Sequence, residues 1–362
     1  MHATVKAERG RVRTRPNVFI AALLSLAFML ASAVILFQTW ARGGPTGFGF
    51  IHDSVSRPLA KAGPYEPHII SVNVWRPPSA KPGPVFAIAA RGFRSRLKPQ
   101  QGEPIILKAM TFNIRHGLGR SGKVDLGAVA ETIKAADPDI VALQEVDRFW
   151  PRSGFEDQTR VLAETLDYYA AFGANLKIGP TQYGNAILSR YPILSAQNLV
   201  MPSLREPRGC LGGTIILPGG NLLTVYSLHL GLEKSERAHH VRAMASYIRS
   251  SDTPVLVMGD YNTDPLGEEI SVLREFLTDV YYVYERAGTV GGRTKTLSPI
   301  GAYRGSTFGL HRIDNIFSSD DIRAVWAGPI QTDASDHFPM MCEIQLGARP
   351  DGVASADGDG TR

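Results

Sequence analysis

Cysteine is scarce in this chain: 362 residues contain two, Cys210 and Cys342. Two thiols so far apart make no zinc-ligating pattern and no disulfide framework, although an oxidising compartment would permit one Cys210–Cys342 bridge. Internal repeats are absent, which removes the repeat architectures. A basic excess is missing where it would matter. The net charge is +5, but residues 1–108 hold about 15 Lys/Arg against about 4 Asp/Glu, which leaves the rest of the chain near −6. A domain that grips long nucleic acid carries a basic face. The charge balance therefore argues against such a partner, while leaving room for a local basic groove.

Long uncharged runs are also rare, with one exception. Residues 18–37 read VFIAALLSLAFMLASAVILF, long enough to cross a bilayer as a helix. Lys6, Arg9, Arg11, Arg13 and Arg15 precede this run and only Arg42 closely follows it. The positive-inside rule then keeps residues 1–17 cytoplasmic as a basic arm and sends the rest across the membrane. The expectation is an uncleaved anchor over residues 18–38; the alternative is a signal peptide cleaved after Ala31-Ser32-Ala33, releasing a secreted protein. Residues 39–104 are rich in Pro, Gly and basic residues and read as a linker, although His68 to Trp75 and Val85 to Ala90 are apolar enough for short strands. A single domain is expected over residues 105–347, followed by a disordered tail over 348–362.

Within that domain, polar residues interrupt or directly follow apolar, β-type segments. They occur in Thr111-Phe112-Asn113-Ile114-Arg115-His116, Leu143-Gln144-Glu145, Tyr183-Gly184-Asn185, Ser227-Leu228-His229, Gly259-Asp260-Tyr261-Asn262, Arg312-Ile313-Asp314 and Ser335-Asp336-His337. Strand ends are where loops assemble active sites on a rigid scaffold. Periodicity predicts helices over Asp125 to Ala136, Thr159 to Leu166, Glu233 to Ser250 and Ile270 to Leu277. Strands are expected over Ile105 to Asn113, Ile140 to Gln144, Ala186 to Leu188, Gly213 to Leu217, Leu222 to Leu228, Val255 to Met258, Arg312 to Phe317, Ile322 to Val325 and Met340 to Leu346. Such a mixture suggests an α/β protein with two packed sheets flanked by helices.

In this order the motifs resemble the endonuclease/exonuclease/phosphatase superfamily of metal-dependent phosphoesterases. The resemblance implies a four-layer α/β sandwich and a divalent cofactor, Mg²⁺ or Mn²⁺. Glu145 offers hard carboxylate oxygens to such a cation, and the resemblance places Asn113 beside it and makes Asp336 a second acidic contact. His337 would move a proton, oriented by Asp314. Asp260 and Asn262 would position the attacking water and hold the phosphate, although Asp-Tyr-Asn also reads as an Asx-turn. His229 would contact a phosphate oxygen. Two positions depart from the family pattern: Asn185 stands where deoxyribonuclease I carries a glutamate, and Arg115 where exonuclease III relatives carry a carboxylate. Arg115 would add a phosphate contact, and His116, Arg208 and Arg237 are further candidates for one, a solvated surface role being the alternative for each of the three. The resulting expectation is a membrane-tethered, monomeric phosphoester hydrolase acting on a small or lipid-linked substrate. The alternatives are a nuclease and a non-catalytic module on the same fold.

Overall fold

The computed structural model describes residues 67–79, 104–282 and 311–347. All lie in one of the chain's two compact units, the one spanning Glu66–Arg362. The arm, the apolar run 18–37, most of the linker and the tail fall outside the described residues. No helix among the described residues is long and apolar enough to cross a membrane.

Local rules place the helices close to where periodicity predicts them. Helix α1 (Leu126–Ala136) starts where the Asp125 side chain accepts the Ala128 N–H, and it stops at Asp137 in a left-handed conformation just before Pro138. Val129, Ala130 and Ile133 form its buried stripe. Asp157 caps α2 (Gln158–Leu166) in the same way. Helix α3 (Lys234–Arg249) opens with a reciprocal Glu233/Glu236 capping box. Only a short turn, α4 (Ser271–Arg274), forms in the segment expected to be a longer fourth helix.

The strands form two mixed seven-stranded sheets. In order along the chain they are β1 (His68–Val72), β2 (Val74–Trp75), β3 (Ile105–Asn113), β4 (Ile140–Arg148), β5 (Tyr169–Ile178), β6 (Thr181–Ser189), β7 (Ile193–Met201), β8 (Arg208–Ile216), β9 (Leu222–His229), β10 (Val255–Asp260), β11 (Thr278–Asp279), β12 (Asp314–Ser318), β13 (Ile322–Pro329) and β14 (Met340–Leu346). One sheet runs β1-β7-β8-β9-β10-β12-β11 and the other β13-β14-β3-β4-β6-β5-β2. Pairing is parallel in β3/β4 and β9/β10 and antiparallel elsewhere. Apolar side chains from both sheets, among them Leu107, Ile187, Leu211, Val225 and Ile344, fill the space between them. Helices α1 and α2 cover one outer face and α3 and α4 the other. This is the four-layer α/β sandwich expected.

Two boundaries change. The stretch assigned to the linker contributes β1 and β2, which close one edge of each sheet by pairing with β7 and β5. Their pattern is short and half-exposed because an edge strand buries little. Strand β4 also runs past Gln144 to Arg148. Between Leu143 and Val146 it carries a bulge in which Gln144 and Glu145 lie opposite one residue of β6. Glu145 takes φ 56° there. Cys210 and Cys342 are buried free thiols on strands of different sheets, so no bridge joins them.

Gly184 of β6 pairs with Val146 at the edge of this bulge, and a Cβ built on it would lie 1.9 Å from the carbonyl oxygen of Gly173 on β5. The Gly184→Ala variant should therefore lose about 1–3 kcal/mol of stability. An unchanged urea midpoint would show that the strands yield at this point.

Candidate active site

The polar residues gather at one end of the sandwich because β3, β4, β9 and β10 all finish there. Asn113 ends β3 and Asp260 ends β10, in opposite sheets. The Asn113 side-chain NH₂ donates to Glu145 Oε1 and to Asp260 Oδ2, at 3.0 Å each, and its carbonyl oxygen accepts the Arg115 N–H. His337, on the loop before β14, places Nδ1 2.8 Å from Asp314 Oδ2 and Nε2 3.9 Å from Asp260 Oδ2. The Ser335 hydroxyl holds that loop down by donating to the Asn113 carbonyl and accepting the His337 N–H.

The charges in this cluster are unevenly matched. Burial and the neighbouring Asp314 push the Asp260 carboxyl up to about 6. Burial also raises Glu145 against the opposing Asn113 hydrogen bond, with Asp260 adding to the rise. Burial alone would lower His337, but Asp314, Asp260 and Asp336 outweigh it and carry the imidazole up to about 10. His229 behaves oppositely. Burial, Arg208 and His337 hold it well below the usual range, so it is neutral. Arg208 donates to its Nδ1 at 3.2 Å, which leaves the proton on Nε2, 3.5 Å from Asp260 Oδ2.

One imidazolium thus sits among three carboxylates. One side-chain atom from each of Asp260, Asp314 and His337 lies within 4.8 Å of the others, and with the imidazole protonated the carboxylate oxygens are the ones free to meet a cation. Glu145, half-buried beside them, keeps access to water. Oxygen donors, excess negative charge and carboxyls raised by burial together suit a hard divalent cation that retains part of its water shell. As placed, Asn113 presents N–H rather than C=O to the two carboxylates, so it ties them together.

The remaining expected residues divide. Asn262 forms the Asx-turn, donating its N–H to Asp260 Oδ1 at 2.9 Å, while its amide NH₂ bonds the Leu230 carbonyl. The turn and the site are the same feature, because the turn aims the other Asp260 oxygen at Asn113. Asp336 pairs with Arg115 at 2.9 Å. Arg208 is buried against Glu206 and His229. Asn185 lies beneath the cluster, donating to the Gly209 and Ser227 carbonyls of the other sheet. Arg237 is held by Glu269 and by the Gly231 and Leu232 carbonyls, where it fastens α3 to the segments that precede and follow it. His116 is neutral, drawn down to about 4 by burial and Arg152.

Sequence reading missed Arg152. Its guanidinium grips the fully buried Asp147 through two nitrogens, at 2.8 and 2.7 Å, and lies near the rings of Trp150 and Tyr183. Gln158 bonds the Asp147 N–H and the His116 carbonyl, tying this segment to the loop after Asn113. The signal was the polar density of Asp147 to Gln158 directly behind Glu145.

A model of the endonuclease/exonuclease/phosphatase family matches residues 110–337, from β3 to His337 itself. The chain belongs to this family. The uncharacterised protein YbhP of Escherichia coli K12 is 29% identical over 272 residues, covering 68% of this chain and all of that protein. Protein cwh43 of Schizosaccharomyces pombe is 28% identical over 171 residues, 45% of this chain but 17% of that protein. Among solved structures, a family member from Beutenbergia cavernae superposes with a TM-score of 0.55 at 24% identity, covering 68% of this chain and 73% of its own. That likeness establishes the shared sandwich.

The His337 shift has a defined sign. Its folded pKa, about 10, lies above the ordinary value of 6.5, so its stabilisation is complete below pH 6.5 and lost as pH rises through 10. In EDTA, the stability gap between the wild type and His337→Gln should narrow from pH 7 to pH 10 in urea titrations. A gap that stays constant would mean that His337 is not charged in the fold.

Proposed function

We propose that this chain is a divalent-metal-dependent phosphoester hydrolase. The observation that carries the reading is the complete constellation of Asn113, Glu145, Asp260, Asp314 and His337 within one hydrogen-bonded cluster. Glu145, with Asp260 across from it, would hold Mg²⁺ or Mn²⁺, which supplies Lewis-acid stabilisation of phosphate charge. Asp260, fixed by the Asn113 amide and the Asn262 turn, would orient an attacking water and accept its proton. His337, kept protonated by Asp314, offers an N–H to a phosphoryl or leaving oxygen. The neutral His229 presents its Nε2 proton on the opposite side of Asp260.

The substrate class we favour is a small or lipid-linked phosphoester. Arg115, Arg152, Arg208 and Arg237 are each paired with a carboxylate, so they do not add up to the basic stripe that a polynucleotide requires. The apolar run 18–37 supports tethering of the chain to a membrane with this domain on the extracytoplasmic face.

The test is hydrolysis by the full-length protein of bis(p-nitrophenyl) phosphate, phospholipid vesicles and supercoiled plasmid, each with Mg²⁺ and with EDTA. EDTA-sensitive turnover of the first two with intact plasmid is expected. Glu145→Ala and His337→Ala should each lose about 10³-fold while keeping wild-type circular dichroism. Plasmid nicking at low enzyme would make the protein a nuclease, and full activity in either variant would overturn the assignment of roles.

A further inference from the structure

Exposed large apolar side chains are distributed unevenly over this domain. Of the ten described, six, Val124, Phe149, Phe155, Leu204, Leu232 and Leu266, stand on loops at the end of the sandwich that carries the catalytic cluster, and Ile178 joins them at the β5–β6 turn beside the Arg148–Gln182 pair. Strand register establishes their place. Val124 follows Asn113 on the loop before α1, and the two phenylalanines follow Glu145 beyond β4. Leu204 lies in the β7–β8 connection, next to Gly209, which pairs with His229. Leu232 follows His229 and Leu266 follows Asp260. Ile106, also exposed, marks the opposite end of β3, seven residues or about 23 Å from Asn113.

Single exposed apolar residues are ordinary, but a set surrounding one site is not. Two of these residues also sit at a conformational cost. Phe149 and Phe155 have φ values of 59° and 61°, a region in which glycine or asparagine is the unstrained choice. Phe155 is 64% exposed, so no core packing offsets that strain. Arginines alternate with the apolar tips. Arg148, paired with Asp157, lies 5.1 Å from the Phe149 ring centre, Arg152, held by Asp147, lies 5.3 Å from that of Trp150, and the exposed Arg205 follows Leu204.

We infer that this rim is a lipid-docking surface that seats the catalytic cluster on the headgroup layer of a phospholipid bilayer. Aromatic and leucine tips match that layer, where apolar groups enter the acyl boundary and an exposed guanidinium such as that of Arg205 meets a phosphate. The same chain carries the uncharged run 18–37 behind five basic residues, which argues for a bilayer over a second protein as the occupant. The inference deepens the phosphoesterase reading and rests on it for the substrate, which would be a phosphoester presented at the membrane surface. Docking itself is measured separately.

The two native cysteines make the test clean. Cys210 and Cys342 are fully buried and burial pushes both thiols up, Cys342 to about 12, so an engineered surface cysteine reacts selectively. Full-length protein bearing Phe155→Cys, Leu204→Cys, Leu266→Cys or, as control, Ile106→Cys is labelled with an environment-sensitive fluorophore. Each is reconstituted into phosphatidylcholine/phosphatidylglycerol vesicles containing a shallow doxyl-lipid quencher. The three rim labels should lose more than half their fluorescence and the Ile106 label should not. Rim labels quenched no more than the control, or shifting only with protein concentration as a second copy would cause, overturn the inference. In addition, the double variant Phe155→Asp/Leu266→Asp should turn over vesicle phospholipid about tenfold more slowly with bis(p-nitrophenyl) phosphate hydrolysis unchanged. Equal loss on both substrates, or none on vesicles, counts against docking. A wild type inactive on both substrates would sink the hydrolase reading, while the quenching pattern would still decide the surface.

Discussion

The Asn113 amide bridges the two sheets, and the site depends on that bridge. It brings Glu145 of one sheet and Asp260 of the other to a common pair of N–H groups. Two apolar sheets packed face to face can slide, because hydrophobic contact is not directional. Hydrogen bonds are directional, and a buried one left unmade is costly. Below Asn113, the same interface carries further bonds of this kind. Gln144 donates to the Ser227 hydroxyl, Ser227 donates to the Leu143 carbonyl, and Asn185 donates to the Gly209 and Ser227 carbonyls. This polar seam fixes how the sheets lie on each other at the catalytic end, while the apolar core elsewhere supplies bulk stabilisation.

The seam also explains the electrostatics. Joining the sheets in this way forces Glu145, Asp260 and Asp314 into one partly dehydrated volume, where each carboxylate raises the energy of the next. His337 answers part of that charge and is held protonated as a result, whereas His229, beside Arg208 rather than a carboxylate pair, is held neutral. Two histidines at one site thus take opposite protonation states, His229 from burial and Arg208, His337 from the carboxylates that outweigh its burial. The residual negative charge is the feature that a divalent cation would relieve.

Much of this was legible from local pattern. The ends of α1, α2 and α3 follow from capping residues and apolar spacing, and the order of strand-end polar residues marked Asn113, Glu145, Asp260, Asp314 and His337 as partners. Less legible were β1 and β2, whose short edge segments carry little apolar signal. The roles of Asn185, Arg208 and Arg237 were also hidden. In sequence each is a polar residue near a motif, yet all three are spent on carbonyls, carboxylates or another histidine. Arg152 was overlooked for the converse reason, since its partner Asp147 reads as one more acid in a charged loop.

Local sequence sets which side chains stand at strand ends, because a period of two and the placement of turns are properties of neighbouring residues. It also determined that the carboxylates and histidines outnumber the cations among them. Tertiary structure alone decided which of these side chains meet. Asn113 and Asp260 are 147 positions apart and Asn113 and His337 are 224 apart, and contacts at that separation depend on how two sheets cross, on a bulge that turns Glu145 inward, and on loops that bring apolar tips to one end. No local rule encodes those distances; they follow from the packing of the whole domain.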